Sequence, residues 1–329
     1  MRVLFLSGFY LSGQTTHAVE LARALRALGH AVWFFTRGRA QLPAWRIYEP
    51  ALRRCGVETR RFDERLRLID AAVELRPEVV HCHSSTLLND AAEIGRRTGA
   101  PVVFTAHGVG VSRRALTRAD WVIAVGPKVE AEVRRAGAGR VALIGNGVDL
   151  DRFSPGPKER TPTIAYVGRV DTAKRRGLAA LVQAARRVGR LHVASNDWPQ
   201  GSGVTAHGWL ADVAPLLRRA HVVVGTGRAI REGMASGCVA IVLGSRYGGV
   251  VRPKSLPDGA FPSFPGDAGL PPDPALIQRD LVALFQNRAR LEALARWSRK
   301  YAVRHFSLER MARRVAGVYA CTLRGCAAL

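Results

Sequence analysis

The sequence predicts an α/β protein built from two Rossmann-like, doubly wound domains that face each other across a cleft. Short apolar runs rich in Val and Ile alternate with amphipathic stretches, a pattern typical of parallel sheets covered by helices on both faces. The pattern starts again after residues 154–162, which have the composition of a linker. A chain of 329 residues is also long for a single hydrophobic core.

Residues 1–153 form the predicted N-terminal domain. A strand at 2–8, a helix at 17–30 and a strand at 31–37 have the spacing of a parallel strand–helix–strand unit. The further predicted strands of this domain are the apolar runs at 78–84, 101–108, 121–126 and 141–147.

Residues 154–304 form the predicted C-terminal domain. Its strands are expected at 163–170, 191–195, 221–225 and 239–244, with helices at 176–189, 211–220 and 229–236. Residues 253–274 contain seven prolines and are expected to form an irregular surface loop, after which the helical pattern returns. Residues 305–329 are predicted to form a last helix that packs back toward the N-terminal domain.

The composition restricts the class of partner. A formal net charge of +24 indicates either a solvated arginine-rich surface or attraction to an anionic membrane or a phosphorylated substrate. No nucleic-acid-binding motif is visible, so no nucleic-acid partner is expected. The five cysteines are scattered and no long apolar run occurs, which favours a cytoplasmic protein, with peripheral association at the inner face of the membrane as a further expectation.

A group of cations follows the predicted strand at 163–170. Gly168, Arg169 and Lys174 come where that strand ends, and Arg169 and Lys174 are separated by one turn of chain. A guanidinium fork and a mobile ammonium group suit a diphosphate. The plainer alternative is two more exposed basic residues on a basic protein.

A glycine turn follows the valine run at 222–224. Gly225 and Gly227 allow a sharp turn and a close approach of backbone amides to a ligand, and the helix that follows offers its positive end to an anion. Glu232, about one turn inside that helix, could accept hydrogen bonds from a ribose diol. Glycine turns between a strand and a helix are common, so this signal is weak when taken alone.

Histidines end two strands of the first domain. His81 and His83 face the same way by strand alternation, but no nearby carboxylate or third ligand is expected to complete a metal site. His107 ranks higher as a functional residue, because Gly108 follows it at the expected edge of the cleft. Gly8 and Gly13 lack the spacing of a dinucleotide fingerprint, which counts against NAD.

These segments, taken together, resemble retaining, nucleotide-sugar-dependent glycosyltransferases of family 4, which have the GT-B fold. The resemblance rests on the ordered set of four stretches: ADWVIAVGPKVEAEVRRAGAGRVALIGNGVDLDRFSP (119–155), YVGRVDTAKRRG (166–177), REGMASGCVAIVLGSRYGG (231–249) and FSLERMARRVAGVYACTL (306–323).

The resemblance implies that the N-terminal domain lies on the acceptor side of the cleft and that the C-terminal domain binds the nucleotide sugar. It also implies roles for the matching positions. Arg169 and Lys174 would neutralise the donor diphosphate as it leaves, Glu232 would hold the ribose, and His107 would contact the donor sugar at the reaction centre. The donor-binding set that it implies is Gly13, Gly168, Arg169, Lys174, Thr226, Gly227, Arg228, Ala229 and Glu232. No cofactor and no metal ion is expected, because cations and a helix end stabilise the developing charge.

One position departs from the family pattern. The family has two glutamates eight positions apart, and in an alignment without gaps Val224 stands in place of the first. A valine cannot hydrogen-bond a sugar hydroxyl, so this departure bears on donor choice and on activity.

Three functions are therefore weighed. The first is glycosyl transfer with retention from a UDP- or GDP-linked sugar to an unknown acceptor, in the synthesis of a glycan, a glycolipid or a glycosylated metabolite. The second, supported by Val224, is a non-catalytic nucleotide-sugar-binding or partner protein. The third and weaker one is a sugar-nucleotide epimerase, for which few cleft carboxylates are available. Basic stretches at 53–67 and 113–120 suggest docking on anionic lipid.

Overall fold

The computed structural model describes residues 1–38, 42–198, 203–256 and 261–326. The chain divides into two compact units, one formed by Met1–Gly147 with Leu308–Leu329 and the other by Val148–Ser307. The sequence analysis placed these boundaries at 153 and 304. The structure places residues 148–153 in the second unit, because Val148 bridges to Ser307 and Phe153 is buried in that unit's core.

The first unit is built on a seven-stranded sheet whose strands are all parallel, in the order β3-β2-β1-β4-β5-β6-β7. Its strands are β1 (Arg2–Leu6), β2 (Ala31–Arg37), β3 (Glu58–Phe62), β4 (Val79–Cys82), β5 (Val102–Ala106), β6 (Trp121–Ala124) and β7 (Val141–Leu143). Its helices are α1 (Gly13–Ala27), α2 (Leu42–Arg54), α3 (Arg65–Glu74), α4 (Leu88–Thr98), α5 (Arg113–Leu116), α6 (Pro127–Arg135) and, from the end of the chain, α12 (Leu308–Leu323).

The second unit is built on a six-stranded sheet in the order β10-β9-β8-β11-β12-β13, in which only β13 runs antiparallel to its neighbour. Its strands are β8 (Thr163–Val167), β9 (Arg190–Ala194), β10 (Val204–Gly208), β11 (Val222–Gly225), β12 (Val239–Leu243) and β13 (Tyr247–Val250). Its helices are α7 (Thr172–Ala185), α8 (Ala214–Arg219), α9 (Arg228–Ala235), α10 (Pro274–Phe285) and α11 (Arg288–His305).

The apolar strand runs are explained by cores on both faces of each sheet. In β1, Val3 and Phe5 belong to one buried cluster, whereas Leu4 and Leu6 belong to the cluster on the opposite face. Successive side chains of a strand point to opposite faces, so a strand that is covered on both faces must be apolar throughout. This double burial is what the continuous Val- and Ile-rich runs predicted.

The last helix completes the core of the first unit. Met311, Val315 and Tyr319 of α12 are buried in the same cluster as Ala18 and Leu21 of α1. The position of α12 in the first unit is therefore maintained by apolar burial rather than by chain connectivity, since the second unit precedes it in sequence.

Parts of two predicted segments are not covered by this description. Residues 257–260 of the predicted proline-rich loop and residues 327–329 at the end of the predicted last helix lie outside the described residues. Among the residues that are described, no helix has both the length and the apolar character needed to cross a membrane.

Candidate functional site

The loops after β8 and β11 leave the same edge of the second sheet side by side. The two strands are parallel neighbours, and Val167 at the end of β8 lies opposite Gly225 at the end of β11. A side chain at position 225 would place its Cβ 2.6 Å from the carbonyl oxygen of Val167, so this close approach requires glycine. In open α/β sheets, ligands bind at the carboxyl ends of the strands, which makes this edge the candidate site of the second unit.

The loop after β8 is held by Asn196. The amide of Val170 donates to Asn196 Oδ1 at 2.8 Å, and Asn196 Nδ2 donates back to the carbonyl oxygen of Val170 at 3.0 Å. Gly168 has a φ of +147°, a backbone conformation that favours glycine. These contacts fix the loop from which Arg169 projects. Sequence analysis missed Asn196, because its role depends on a neighbouring strand.

The two predicted cations lie on either side of the start of α7, Arg169 in the loop before it and Lys174 in its first turn. Asp171 caps this helix by accepting a hydrogen bond from the Lys174 amide at 3.1 Å. Lys174 Nζ lies 3.4 Å from the carbonyl oxygen of Arg169 and 3.8 Å from Asp171 Oδ2. The side chain of Arg169 is exposed and forms no ion pair with a described residue. Lys174 therefore lies beside the Arg169 backbone, while the guanidinium faces solvent.

The turn after β11 consists of Thr226 and Gly227 alone. Gly227 has a φ of +54°, and its amide donates to the carbonyl oxygen of Phe264 at 2.9 Å. The Ala229 amide donates to the carbonyl oxygen of Thr226 at 3.2 Å. Two of the amides expected to serve an anion are thus engaged within the protein, and a ligand would have to exchange with these bonds to use them.

Glu232 lies one helical turn into α9 and is paired with Arg228. Arg228 Nε donates to Glu232 Oε1 at 2.6 Å, and the two side chains are only 10% and 7% exposed. A charge-assisted hydrogen bond of this kind fixes the orientation of the carboxylate. Arg228 thus orients Glu232, a relation that the sequence analysis did not predict.

Arg231 is a buried cation that the sequence analysis also missed. Its guanidinium lies 5.8 Å from the ring centroid of Phe264 and 5.6 Å from that of Phe306, and it donates to the carbonyl oxygen of Pro262 at 3.0 Å. Burial lowers the pKa of Arg231 to about 10, with a smaller contribution from the nearby Arg228. Because Phe264 accepts the Gly227 amide, Arg231 ties the glycine turn to the segment 262–264.

Val224 lies inside β11 rather than in the turn. Its side chain is fully buried in an apolar cluster that includes Ile164 and Tyr166 of β8. The position that an alignment without gaps assigns to the family's first glutamate therefore faces the core, and it offers no polar group to a ligand.

Gly13 and His107 belong to the first unit, whereas the other predicted site residues belong to the second. Gly13 is the first residue of α1, and His107 directly follows β5 and is half-buried. His107 Nε2 lies 3.2 Å from Nδ1 of His83, which follows β4. Burial lowers the pKa of both imidazoles, so both are neutral at pH 7.

His17 completes a cluster with these two histidines. One ligand nitrogen from each of His17, His83 and His107 lies within 4.8 Å of the others, and within the described part of the chain no other group of His, Cys, Asp or Glu meets this description. The expectation that no third ligand lies near His83 is therefore wrong. It failed because His17 is on a helix far away in sequence, and strand alternation carries no information about that helix.

His81 is separate from this cluster. Its Nδ1 lies 2.6 Å from the Tyr319 hydroxyl and its Nε2 lies 2.8 Å from Thr105 Oγ1. Burial lowers the pKa of His81 to about 3, with a smaller contribution from His107. Both nitrogens are thus committed to bonds that join β4 to β5 and to α12.

Residues 11–152 match the model of the family described as Glycosyltransferase Family 4. By this match, these residues belong to glycosyltransferase family 4. The family resemblance that the sequence motifs predicted is confirmed. The D-inositol 3-phosphate glycosyltransferase of Mycobacteroides abscessus is 31% identical over 205 residues, which are 49% of this chain and 45% of that protein. The chain thus spans less than half of the length of this curated relative.

Two solved structures are similar to this chain along almost their whole length. The complex of Anabaena Alr3699/HepE with UDP and glucose has a TM-score of 0.75 at 15% identity, covering 97% of this chain and 99% of that one. A glycosyltransferase from Rickettsia africae has a TM-score of 0.73 at 16% identity, covering 98% and 99%. At this identity the likeness shows the fold, and the predicted α/β fold of the GT-B class is confirmed.

Proposed function

We propose that this chain transfers a glycosyl group from a nucleotide-diphospho-sugar to an acceptor hydroxyl, with retention of the anomeric configuration. One observation carries the proposal: the Gly168–Lys174 loop and the turn before Glu232 follow two adjacent parallel strands, β8 and β11, at one edge of the second sheet. Two cations, a helix start and an oriented carboxylate then lie where open α/β folds bind nucleotides.

The chemistry follows from the charge that develops on the leaving group. The bond between the anomeric carbon and the diphosphate oxygen breaks, and a bond from the acceptor oxygen to that carbon forms on the same face. The acceptor proton passes to the departing phosphate. Arg169 and Lys174 stabilise the negative charge that accumulates on the diphosphate, a task that preorganised cations perform without a metal ion.

The remaining parts of the donor are assigned to the other predicted residues. Glu232, oriented by Arg228 at 2.6 Å, accepts hydrogen bonds from the ribose hydroxyls. The family resemblance assigns His107 to the donor sugar and Gly13 to its phosphate or sugar, and this part of the proposal rests on the resemblance alone.

Similar proteins favour UDP as the nucleotide to test first. Anabaena HepE was solved with UDP-glucose and with UDP. The relative from Mycobacteroides abscessus is a D-inositol 3-phosphate glycosyltransferase by name, which makes phosphorylated polyols reasonable acceptors to include. A cationic protein of net charge +24 is suited to anionic substrates of either kind.

Arg169 and Lys174 together form the proposed diphosphate clamp. This clamp is tested by removing each cation in turn. We expect Arg169→Ala and Lys174→Ala each to lower kcat/KM by about 30- to 1,000-fold, corresponding to about 2–4 kcal/mol for one preorganised group at the transition state. Arg175→Ala is the matched control, because Arg175 is an exposed neighbour on α7 whose partner is Asp197 at 3.0 Å. Turnover that survives both substitutions would show that the clamp is wrongly assigned.

A non-catalytic nucleotide-sugar-binding protein is the second candidate, and the burial of Val224 favours it. The structure offers no acid at this position to contact a donor sugar, while the turn glycines and Glu232 are present. A panel of nucleotide sugars separates the two functions: tight binding without transfer or hydrolysis of any donor would support the second candidate.

We also propose that the protein associates peripherally with anionic membranes through residues 109–118. In the predicted stretch 53–67 most arginines are paired with acids, among them Arg60 with Glu58 and Arg67 with Glu64. Arg113 and Arg114 are exposed, have no ion pair among the described residues, and lie close in sequence to Val109, which is 53% exposed.

Vesicle co-sedimentation tests this surface. Binding to vesicles of anionic phospholipid is expected at low salt, with a loss at high salt because of screening. Arg113→Glu with Arg114→Glu should abolish binding, whereas Arg60→Glu with Arg67→Glu should weaken it less. Absence of binding to anionic vesicles at low salt would remove the membrane proposal and leave the transfer proposal intact.

A further inference from the structure

Three imidazoles converge in the first unit. His17 projects from α1, His83 follows β4 and His107 follows β5, so that two adjacent strand ends and one helix contribute one ring each. His17 and His83 are 2% and 1% exposed, while His107 is half-buried. The cluster is therefore enclosed on the sides of His17 and His83 and reaches solvent beside His107.

The ring geometry matches that of a three-histidine metal site. A tetrahedral ion with metal–nitrogen bonds of about 2.0–2.1 Å separates its ligand nitrogens by about 3.3 Å and the ring centroids by roughly 5 Å. His83 Nδ1 and His107 Nε2 are 3.2 Å apart. The ring centroids are 4.8 Å apart for His17 and His107, 5.7 Å for His17 and His83, and 5.5 Å for His83 and His107. Small ring rotations would complete the arrangement.

The surroundings leave His83 available as a ligand through Nδ1. This nitrogen faces His107 Nε2 at 3.2 Å, and the buried Nε2 has no hydrogen-bond partner within the described parts of the chain, so no bond to a group outside the cluster commits either ring nitrogen. The ring of His83 is stacked on Phe5 with centroids 4.9 Å apart, and Gln14 donates to its carbonyl oxygen at 2.8 Å. Such support orients a ligand before the ion arrives.

We propose that His17, His83 and His107 bind one transition-metal ion of the Zn²⁺ class. Three imidazoles suit zinc and its neighbours in the transition series rather than magnesium or calcium, which prefer oxygen ligands. The half-exposed side of His107 gives the ion an entry path and leaves a fourth coordination position for water or another ligand.

Occupation of the cluster would have a regulatory consequence, which rests on the proposed function. An ion bound to His107 withdraws that imidazole from the donor sugar. Zn²⁺ is therefore expected to inhibit transfer and EDTA to restore it, whereas an enzyme that needed the ion would lose activity in EDTA. The metal-independent transfer proposed above and the metal site are thus compatible.

Cobalt spectroscopy tests the site without any activity measurement. The full-length protein is treated with EDTA, desalted and titrated with Co²⁺, whose visible absorption is strong in tetrahedral and weak in octahedral coordination. We expect tetrahedral bands that saturate at one equivalent and disappear on addition of Zn²⁺. His17→Gln and His107→Gln should each weaken Co²⁺ binding at least tenfold.

The control is an exposed pair of histidines in the second unit. His192 Nδ1 and His207 Nε2 are 3.0 Å apart, so this pair could bind an ion at the surface. His207→Gln should leave the tetrahedral spectrum unchanged. Loss of the spectrum in His207→Gln, or no tetrahedral bands in the wild type, would overturn the proposal. If buried His17→Gln does not fold, as judged by circular dichroism, the half-exposed His107→Gln supplies the result.

Discussion

Val224 determines what the end of β11 can offer to a ligand. Its side chain is fully buried among Ile164, Tyr166 and other core residues, and only two residues separate β11 from α9. An acid introduced here would lie in the core, where an unpaired charge is costly.

We therefore expect that Val224→Glu does not supply the missing acid. The substitution should lower the free energy of unfolding by about 3–5 kcal/mol, as for an uncompensated buried charge, measured by urea denaturation. Val224→Ala is the control for lost volume, expected to cost less. A stable Val224→Glu protein with improved turnover would show that this side chain reaches the donor and that the burial argument is wrong.

The site residues differ in how far the sequence revealed them. The position of Gly168, Arg169 and Lys174 after a strand end could be predicted, because a strand followed by glycine and cations is a local pattern. Arg231 could not, because its environment is made by Phe264 and Phe306, both distant in sequence. Local spacing predicts which residues leave a strand end, but not which side chains support them from elsewhere.

At the scale of elements, the buried strands were predicted and the polar strands were not. The predicted strands at 163–170 and 221–225 correspond to β8 and β11 in the interior of the second sheet. The edge strands β3, with the sequence ETRRF, and β10, with VTAHG, gave no apolar run. An edge strand has fewer neighbours to bury it and often carries charge, so its pattern is weak.

Helix α7 carries Lys174, one of the two cations proposed to bind the diphosphate, and its cap is expected to matter for binding. Asp171 accepts the Lys174 amide at 3.1 Å, and a lost N-cap costs about 1 kcal/mol. Asp171→Ala should lower the free energy of unfolding by that amount and weaken nucleotide binding, because the turn that presents Lys174 frays.

A second cap provides the matched comparison. Asp273 caps α10 by accepting the Ala275 amide at 2.8 Å, and α10 presents none of the predicted clamp residues. Asp273→Ala should cost a similar free energy of unfolding and leave nucleotide binding unchanged, as measured by urea denaturation and calorimetry. Equal nucleotide affinity in the two variants would argue against a positioning role for Asp171.

At the scale of the whole molecule, the sequence predicted two parallel α/β units, and the structure contains both. The last helix, α12, lies in the first unit. There, the Tyr319 hydroxyl forms a hydrogen bond with His81, and the Tyr319 ring is part of the apolar core. The cluster of His17, His83 and His107 could not be predicted from the sequence, because α1, β4 and β5 meet only in the folded unit. Strand alternation predicts that His81 and His83 face the same way. It gives no information about His17, which lies on the helix α1.

The most direct test of the central claim is calorimetry of nucleoside diphosphates against the full-length protein. UDP, GDP, ADP and dTDP are titrated into wild type, Lys174→Ala and Arg175→Ala in the presence of EDTA. If the nucleotide binds at the carboxyl ends of β8 and β11, UDP or GDP should bind wild type and Arg175→Ala with the same affinity. The same nucleotide should bind Lys174→Ala at least tenfold more weakly. Binding of none of the four nucleotides, or equal binding to Lys174→Ala, would contradict the account.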